Sequence, residues 1–300
     1  MAHLAIPKTY KLFIGGKFPR SESGRTYTAT DREGKFMANA ALASRKDARD
    51  AVVAARKGLA AWAGATPYNR GQVIYRAAEM LQGRAREFTD LISTGRGVTA
   101  RVAAAEVETA IDRLVHYAGW TDKLAAAFGS SNPVSGPYFS YSAPEPTGVV
   151  AVFAPTGSAL LGLVSVVAPV LAGGNTAVLV ASEADPCVAI TFAEVLATSD
   201  LPGGAVNVLT GRAAELGPHL AAHADVDALD LTGVVDHPGD HELRVELERA
   251  AAQTLKRVYV PGSVPDFAEP PGTGRLRAFL ELKTVWHPTG AVSLAGGSAY

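Results

Sequence analysis

The chain has a single cysteine, Cys187, among 300 residues. One thiol excludes an internal disulfide framework, and a reducing compartment, the cytoplasm, is the expected location. Neither sign of charge is in excess: 28 Lys and Arg face 29 Asp and Glu, for a formal net charge of -1, and the pI lies near 6.7. Such a balance supplies no basic field, so neither nucleic acid nor a membrane surface is an expected partner. The opening MAHLAIPKTYK lacks the charged-then-apolar order of a signal segment. No apolar run reaches the ~20 residues a bilayer needs. The nearest, over residues 159–172, carries Pro169 and ends at Gly173-Gly174. What is left, 48% hydrophobic and 19% charged, suits a globular chain of one large or two modest domains.

The pattern begins with short β segments. Residues 11–14 and Lys17-Phe18 flank Gly15-Gly16, a two-residue hairpin connection that needs positive φ. Residues 26–28 and 36–41 supply further strands. Ser44 and Asp47 then form a capping box opening a helix through Trp62, with Ala51, Val52, Ala55 and Leu59 on one face. Thr66-Pro67 starts a second helix, residues 85–92 a third, and residues 99–127 one long fourth. Tyr117 and Trp120 fall near its apolar stripe and are expected in the core. Residues 130–146, rich in Pro, Gly and Ser but carrying Tyr138, Phe139 and Tyr141 at a partly alternating spacing, read as a two-stranded arm leaving the domain.

The centre of the chain is residues 148–183. A continuous apolar run at 148–153 suits a strand buried on both faces. Residues 154–157 break it, Ser158 can cap the apolar helix that follows, Gly173-Gly174-Asn175 ends that helix, and residues 176–180 form the next strand. Helices at 186–196, 213–222 and 242–255 alternate with strands at 205–209, 226–231 and 256–260. The alternation predicts an α/β fold with a doubly wound parallel sheet, its ligand crevice at the carboxyl ends of the strands. Order then fails. Residues 261–274 hold four prolines and three glycines and read as a linker, followed by a short helix, a strand at 283–287 and a glycine-rich tail.

Two histidine pairs, His219 with His223 and His237 with His241 beside Asp236, suggest a metal. The zincin pattern requires Glu after the first His, where Leu220 stands. They read as solvated helix-end and loop histidines, and no metal is expected. Gly272-Thr-Gly274 follows prolines rather than a strand and is no dinucleotide motif.

Several segments in order (Phe13-Ile-Gly-Gly-Lys17, Tyr117-Ala-Gly-Trp120, Glu145-Pro-Thr-Gly-Val149, Ala168 through Thr176, Ser182-Glu183, Leu201 through Val208, Thr232-Gly233 and Leu255-Lys-Arg-Val258) resemble the NAD(P)-binding half of the aldehyde dehydrogenase superfamily. Leu282 through His287 resembles its C-terminal strand. The resemblance implies a Rossmann-like domain over 1–129 and 147–260, a bridging arm over 130–146, a linker over 261–274 where the catalytic domain would stand, and an oligomerisation strand with its tail over 275–300. Residues 261–273 are too few for a domain, which takes at least ~50.

Residue by residue, the resemblance implies losses. Gly157 stands where the family has the asparagine of its oxyanion hole, and Thr156 where it has tryptophan. Pro261 stands at the general-base glutamate, Val180 at a ribose-binding lysine, and the nucleophilic cysteine belonged to the missing piece. Cys187 matches the adenosine side instead and reads as an inert, partly buried thiol. Pro155, Ser182, Glu183, Thr232 and Gly233 are the vestigial cofactor positions. Asp236 and Asp240 beyond them would repel a phosphate, so no cofactor, or NAD(P) only weakly, is expected. The chain is most similar to the degenerate second unit of family-sixteen, two-unit enzymes. That similarity implies a catalytically inactive pseudoenzyme whose Tyr138, Phe139, Tyr141, Lys283, Val285 and Trp286 dock on a full-length aldehyde dehydrogenase, with self-association as a second mode. Two alternatives stay open: an NAD(P)-dependent aldehyde oxidoreductase completed by a partner chain, and a nucleotide-sensing regulator.

Overall fold

The computed structural model describes residues 8–235, 241–263 and 265–290. Asp236, His237, Asp240 and the tail from residue 291 lie outside them. The chain opens with β1 (Thr9–Tyr10), β2 (Thr26–Thr30) and β3 (Phe36–Ala41), a small sheet in the order β1-β3-β2. The glycine pair holds φ of +60° and +79°, and Ile14 bridges Lys17 across it, as the hairpin reading required.

Four helices follow: α1 (Arg45–Gly64), α2 (Pro67–Gly83), α3 (Ala85–Arg96) and α4 (Ala100–Ala118). Ser44 and Asp47 form the reciprocal capping box of α1, and Thr66 caps α2 ahead of its proline. The single long fourth helix is corrected. It stops at Ala118, turns through residues 119–123, and resumes as α5 (Leu124–Phe128). Gly119 caps the break, and the turn lets Trp120 stack on Phe128 at 6.0 Å with planes 4° apart. An unbroken helix would leave those rings eight residues apart, about 12 Å along the axis.

The arm is β4 (Ser130–Asn132) and β5 (Tyr138–Pro146), paired antiparallel. The remaining elements alternate: β6 (Val149–Phe153), α6 (Leu161–Ala172), β7 (Thr176–Val180), α7 (Pro186–Ala197), β8 (Val206–Leu209), α8 (Ala213–Ala222), β9 (Ala228–Asp230), α9 (Thr232–Val235), α10 (His241–Ala252), β10 (Arg257–Tyr259), α11 (Gly274–Ala278) and β11 (Leu280–Pro288). Five strands form a parallel sheet in the order β10-β9-β6-β7-β8, the doubly wound arrangement the alternation predicts. β11 joins β5 antiparallel along nine residue pairs, giving the sheet β11-β5-β4.

Strand periodicity sorts the interior into two layers. Val150, Val152, Ala177, Leu179, Val206 and Val208 face a core built with α2, α3, α4, α6 and α7. Val149, Ala151, Phe153, Val178, Val180 and Leu209 face a second core with α1, α8 and α10. Every residue of α6 is buried, which explains its apolar circumference. One side chain ties α1 to it, and another ties α2 to α1. Trp62 Nε1 donates to the Leu171 carbonyl at 3.1 Å, and the buried Arg70 donates to the Ala63 and Ala65 carbonyls at the end of α1. Among the described residues no helix is long and apolar enough to cross a membrane.

Candidate functional site

The carboxyl ends of β6, β7, β8 and β9 meet a crevice of about 440 Å³. Ser182, Glu183, Gly233, Thr156, Val180 and Arg212 are among its walls. Three of the five predicted cofactor positions therefore come together, and two turn elsewhere. Pro155 is buried beside Gly162, where its ring would lie 2.6 Å from any added Cβ. Thr232 donates its hydroxyl to Asp230 Oδ1 at 2.5 Å and receives Arg275 Nη1 at 2.9 Å. Gly233 must stay glycine, since a Cβ there would sit 2.1 Å from the Ala154 carbonyl oxygen. At one wall of the crevice Arg212 pairs with Glu183 at 3.3 Å, both exposed, while Ser182 reaches Asp185 at 3.3 Å.

A dinucleotide fits this wall incompletely. Val180 brings methyl groups where a cationic ribose grip would stand, the Thr232 hydroxyl is already committed, and Glu183 is shared with Arg212.

The loop between β6 and α6 is held by charges the sequence reading did not single out. Glu106 of α4 accepts from Ser158 Oγ at 2.7 Å and from the Leu160 and Leu161 amides at 2.9 and 3.2 Å, so a carboxylate from another helix caps α6. Ser158 accepts from the Gly162 amide at 2.9 Å, a supporting bond rather than the whole cap. Arg96 of α3 donates twice to Asp185 and once to the Thr156 carbonyl, clamping the loop to the start of α7. Gly157 is exposed between these fixed points and carries no side chain to donate.

Cys187 lies on α7, 5% exposed. Burial pushes its thiol up to about 11, against the lowering effect of a hydrogen bond with Tyr10. Protonated at neutral pH and closed to solvent, it is not poised as a nucleophile. Pro261 is buried just past β10. Among the described residues no group of His, Cys, Asp and Glu could hold a metal ion.

After β10 the chain lies over α4 and α6 instead of swinging free. Arg113 of α4 donates to Ser165 Oγ at 2.8 Å and to the carbonyls of Phe267 and Glu269 at 2.7 and 3.0 Å. Arg275 is buried against Asp230 and stacks over Tyr259 with 4.5 Å to the ring centroid. Burial opposes its charge, but Asp230 more than compensates and holds the guanidinium above its ordinary pKa. The cue in the sequence was Asp230 itself, an acid set among apolar residues at the end of a short buried strand.

The six predicted interface residues share the sheet β11-β5-β4. Tyr138, Phe139 and Trp286 are 41, 49 and 56% exposed, and Leu282 beside them 62%. Tyr138 meets Trp286 edge-on and Tyr141 stacks on His287, while Lys283 pairs with Glu145.

A doubly wound parallel sheet with a crevice at the carboxyl ends of its strands and a strand-bearing arm is a Rossmann-like architecture. The sequence model of the aldehyde dehydrogenase family matches residues 19–260, and the chain belongs to that family. It is 30% identical over 298 residues to DhaS of Bacillus subtilis, itself named an aldehyde dehydrogenase only provisionally, covering 97% of this chain and 58% of DhaS. To the mitochondrial aldehyde dehydrogenase family 2 member B4 of Arabidopsis thaliana it is 33% identical over 252 residues, covering 83% of this chain and 45% of that protein. Among solved structures, HpcC of Thermus thermophilus superposes with a TM-score of 0.77 at 29% identity, over 84% of this chain and 47% of HpcC. An aldehyde dehydrogenase of Bacillus cereus, solved as an NAD+ complex, gives 0.76 at 28%, over 84% of this chain and 50% of its own. The chain thus spans about half the length of the relatives it matches.

Proposed function

We propose that this chain is a catalytically inactive member of the aldehyde dehydrogenase family that acts as a structural or regulatory subunit on a full-length, active aldehyde dehydrogenase. The observation that carries the reading is the route from β10 to β11. Residues 260–273 lie between β10 and α11, fastened by Arg113, and β11 then pairs with β5. No catalytic half is interposed there. The remaining groups support it: Gly157 offers no side-chain amide, Pro261 no carboxylate, and Cys187 no accessible thiolate. A lost oxyanion donor alone costs about 10²-fold in rate.

Partnering is supported by the arm. Among the described residues β11 has one neighbour, so its outer edge presents backbone groups that none of them pairs, and the aromatics around it stay exposed. A partner of the same family supplies chain that can cover both. The cytoplasm is its proposed setting. Co-expression with a full-length aldehyde dehydrogenase of the same genome tests the idea: a complex surviving size-exclusion chromatography is expected, and two separately eluting species would overturn it. The isolated chain should form no NAD(P)H from aldehydes. Turnover abolished by Cys187→Ala would instead show an active oxidoreductase.

The crevice at the carboxyl ends of the strands, with Ser182, Glu183 and Gly233 in its walls, favours one second reading, a nucleotide-sensing regulator. Calorimetry with NAD, NADP, ATP and coenzyme A decides it, since pure scaffolding gives no heat of binding.

A further inference from the structure

We propose that residues 265–275, folded onto α4 and α6, complete with Arg113 and Tyr117 a binding site for a small, singly charged carboxylate. A cavity of about 220 Å³ lies beneath this segment, with Arg113, Tyr117, Ser165, Tyr259 and Arg275 in its walls. A single water needs only ~10–15 Å³ of such volume, so a carboxylate with a short hydrocarbon body can be accommodated. The cavity shares no lining residue with the crevice at Ser182, Glu183 and Gly233.

Charge selects the class of ligand. Arg275 is neutralised by Asp230 within the protein. Arg113, 6% exposed, pairs with no carboxylate among the described residues; its partners are one hydroxyl and two carbonyls. A buried cation without a counter-charge is held at a cost of several kcal/mol. Burial accordingly pushes the Arg113 guanidinium below its usual pKa. Three of its N–H donors are engaged, and a guanidinium has five. Of the two that remain, on Nε and Nη1 at different edges of the group, one can meet a carboxylate oxygen.

Tyr117 provides an independent pointer. It is 2% exposed and lines the cavity beside Arg113. Its hydroxyl is felt by Arg275 and Arg113, which pull its pKa down against the larger upward push of burial. A phenol in the wall of a cavity can donate its proton to an anion that enters it. Ser165, whose oxygen already accepts from Arg113, keeps its proton to donate. Asp266 and Glu269 are exposed at the rim, and their charge disfavours a second negative charge on the ligand. Pro265, Pro270 and Pro271 with the Tyr259 ring add apolar wall.

Calorimetry on the full chain with acetate, butyrate and benzoate, against sulfate and phosphate at constant ionic strength, tests the proposal. Saturable one-site binding of at least one carboxylate is expected, tenfold or more tighter than sulfate. Tyr117→Phe, which removes one hydroxyl, should weaken it by about tenfold, as loss of one hydrogen bond to a charged group does. Arg113→Met should abolish it. Arg113→Met also loosens the covering segment, so Tyr117→Phe is the decisive variant. No saturable carboxylate heat, sulfate binding as tight as carboxylate, or an unchanged affinity in Tyr117→Phe each overturns the assignment.

Discussion

In the five-stranded sheet every residue of β6, β7 and β8 is buried, whereas along β11 only Leu280 is buried and only Val285 half-buried. The first sheet is covered on both faces by helices of its own chain. The second keeps Phe139, Leu282 and Trp286 exposed, and no other described strand pairs with its outer edge. A region that closes on itself specifies a fold; a region that pairs well internally yet stays open specifies a place for something else. The two make opposite demands on substitution, and four measurements can break or sharpen the contrast.

The largest effect is expected on assembly. Phe139→Ser combined with Trp286→Ser should abolish co-elution with a full-length aldehyde dehydrogenase while moving the melting temperature of the isolated chain little, because both side chains are already about half exposed. Loss of folding in that variant would mean that the arm belongs to the core after all.

Next comes the buried pair. Asp230→Asn or Arg275→Met, each leaving an unmatched partner in the interior, should cost about 3–5 kcal/mol in urea unfolding. The double replacement Asp230→Leu with Arg275→Met should recover much of it. If both single variants unfold like the parent, the covering segment is not fastened there.

Glu106→Gln should cost about 1–2 kcal/mol, since an amide oxygen caps α6 less strongly than a carboxylate does. The comparison is with Glu108→Gln on the exposed face of α4, where no change is expected.

The smallest effect belongs to Arg257 and Glu281, an exposed pair at 2.5 Å that links β10 to β11. The hydrogen bond from Arg257 holds the Glu281 carboxyl below its usual value, so its folded pKa is depressed. Its stabilisation is then complete above the ordinary carboxyl range near 4.5 and disappears as pH falls through the lowered value. Both side chains are more than a third exposed, so Glu281→Gln should shift stability by well under ~1 kcal/mol, and salt should erase the difference.

The covered sheet was also the more legible part of the sequence. Apolar runs at 148–153 and 176–180, the capping box at Ser44 and Asp47, and the positive-φ glycines at 15 and 16 announce themselves because each depends on neighbours in the chain. The break in α4 was missed because Gly119 lies inside a continuous helical period, and the stacking of Trp120 on Phe128 that favours the turn is tertiary. Glu106 could not be read as a cap either: the groups it satisfies lie 52 to 55 residues away. Asp230 and Arg275 are 45 residues apart, and residues 261–274 look like loose linker until both ends of their tether are seen. In the crevice the sequence named Ser182, Glu183 and Gly233, but not Arg212, whose pairing with Glu183 depends on how α8 is set against β7.

The segment around the first hairpin has a consequence in time. Phe13 exchanges two backbone bonds with Val208, and the Gly15 amide donates to Asn207 Oδ1 across 192 residues. At the usual ~5–20 residues per second of synthesis, Leu12 and Phe13 emerge roughly 10–40 s before their partner strand exists. For that interval Phe13 can meet Phe18, its ring neighbour at 4.9 Å, and Leu12 the nearby Ala41 and Ala51, while their backbone pairing waits. Docking onto β8 is therefore a late step, in which a segment from the start of the fold is fixed by a strand made about two hundred residues after it.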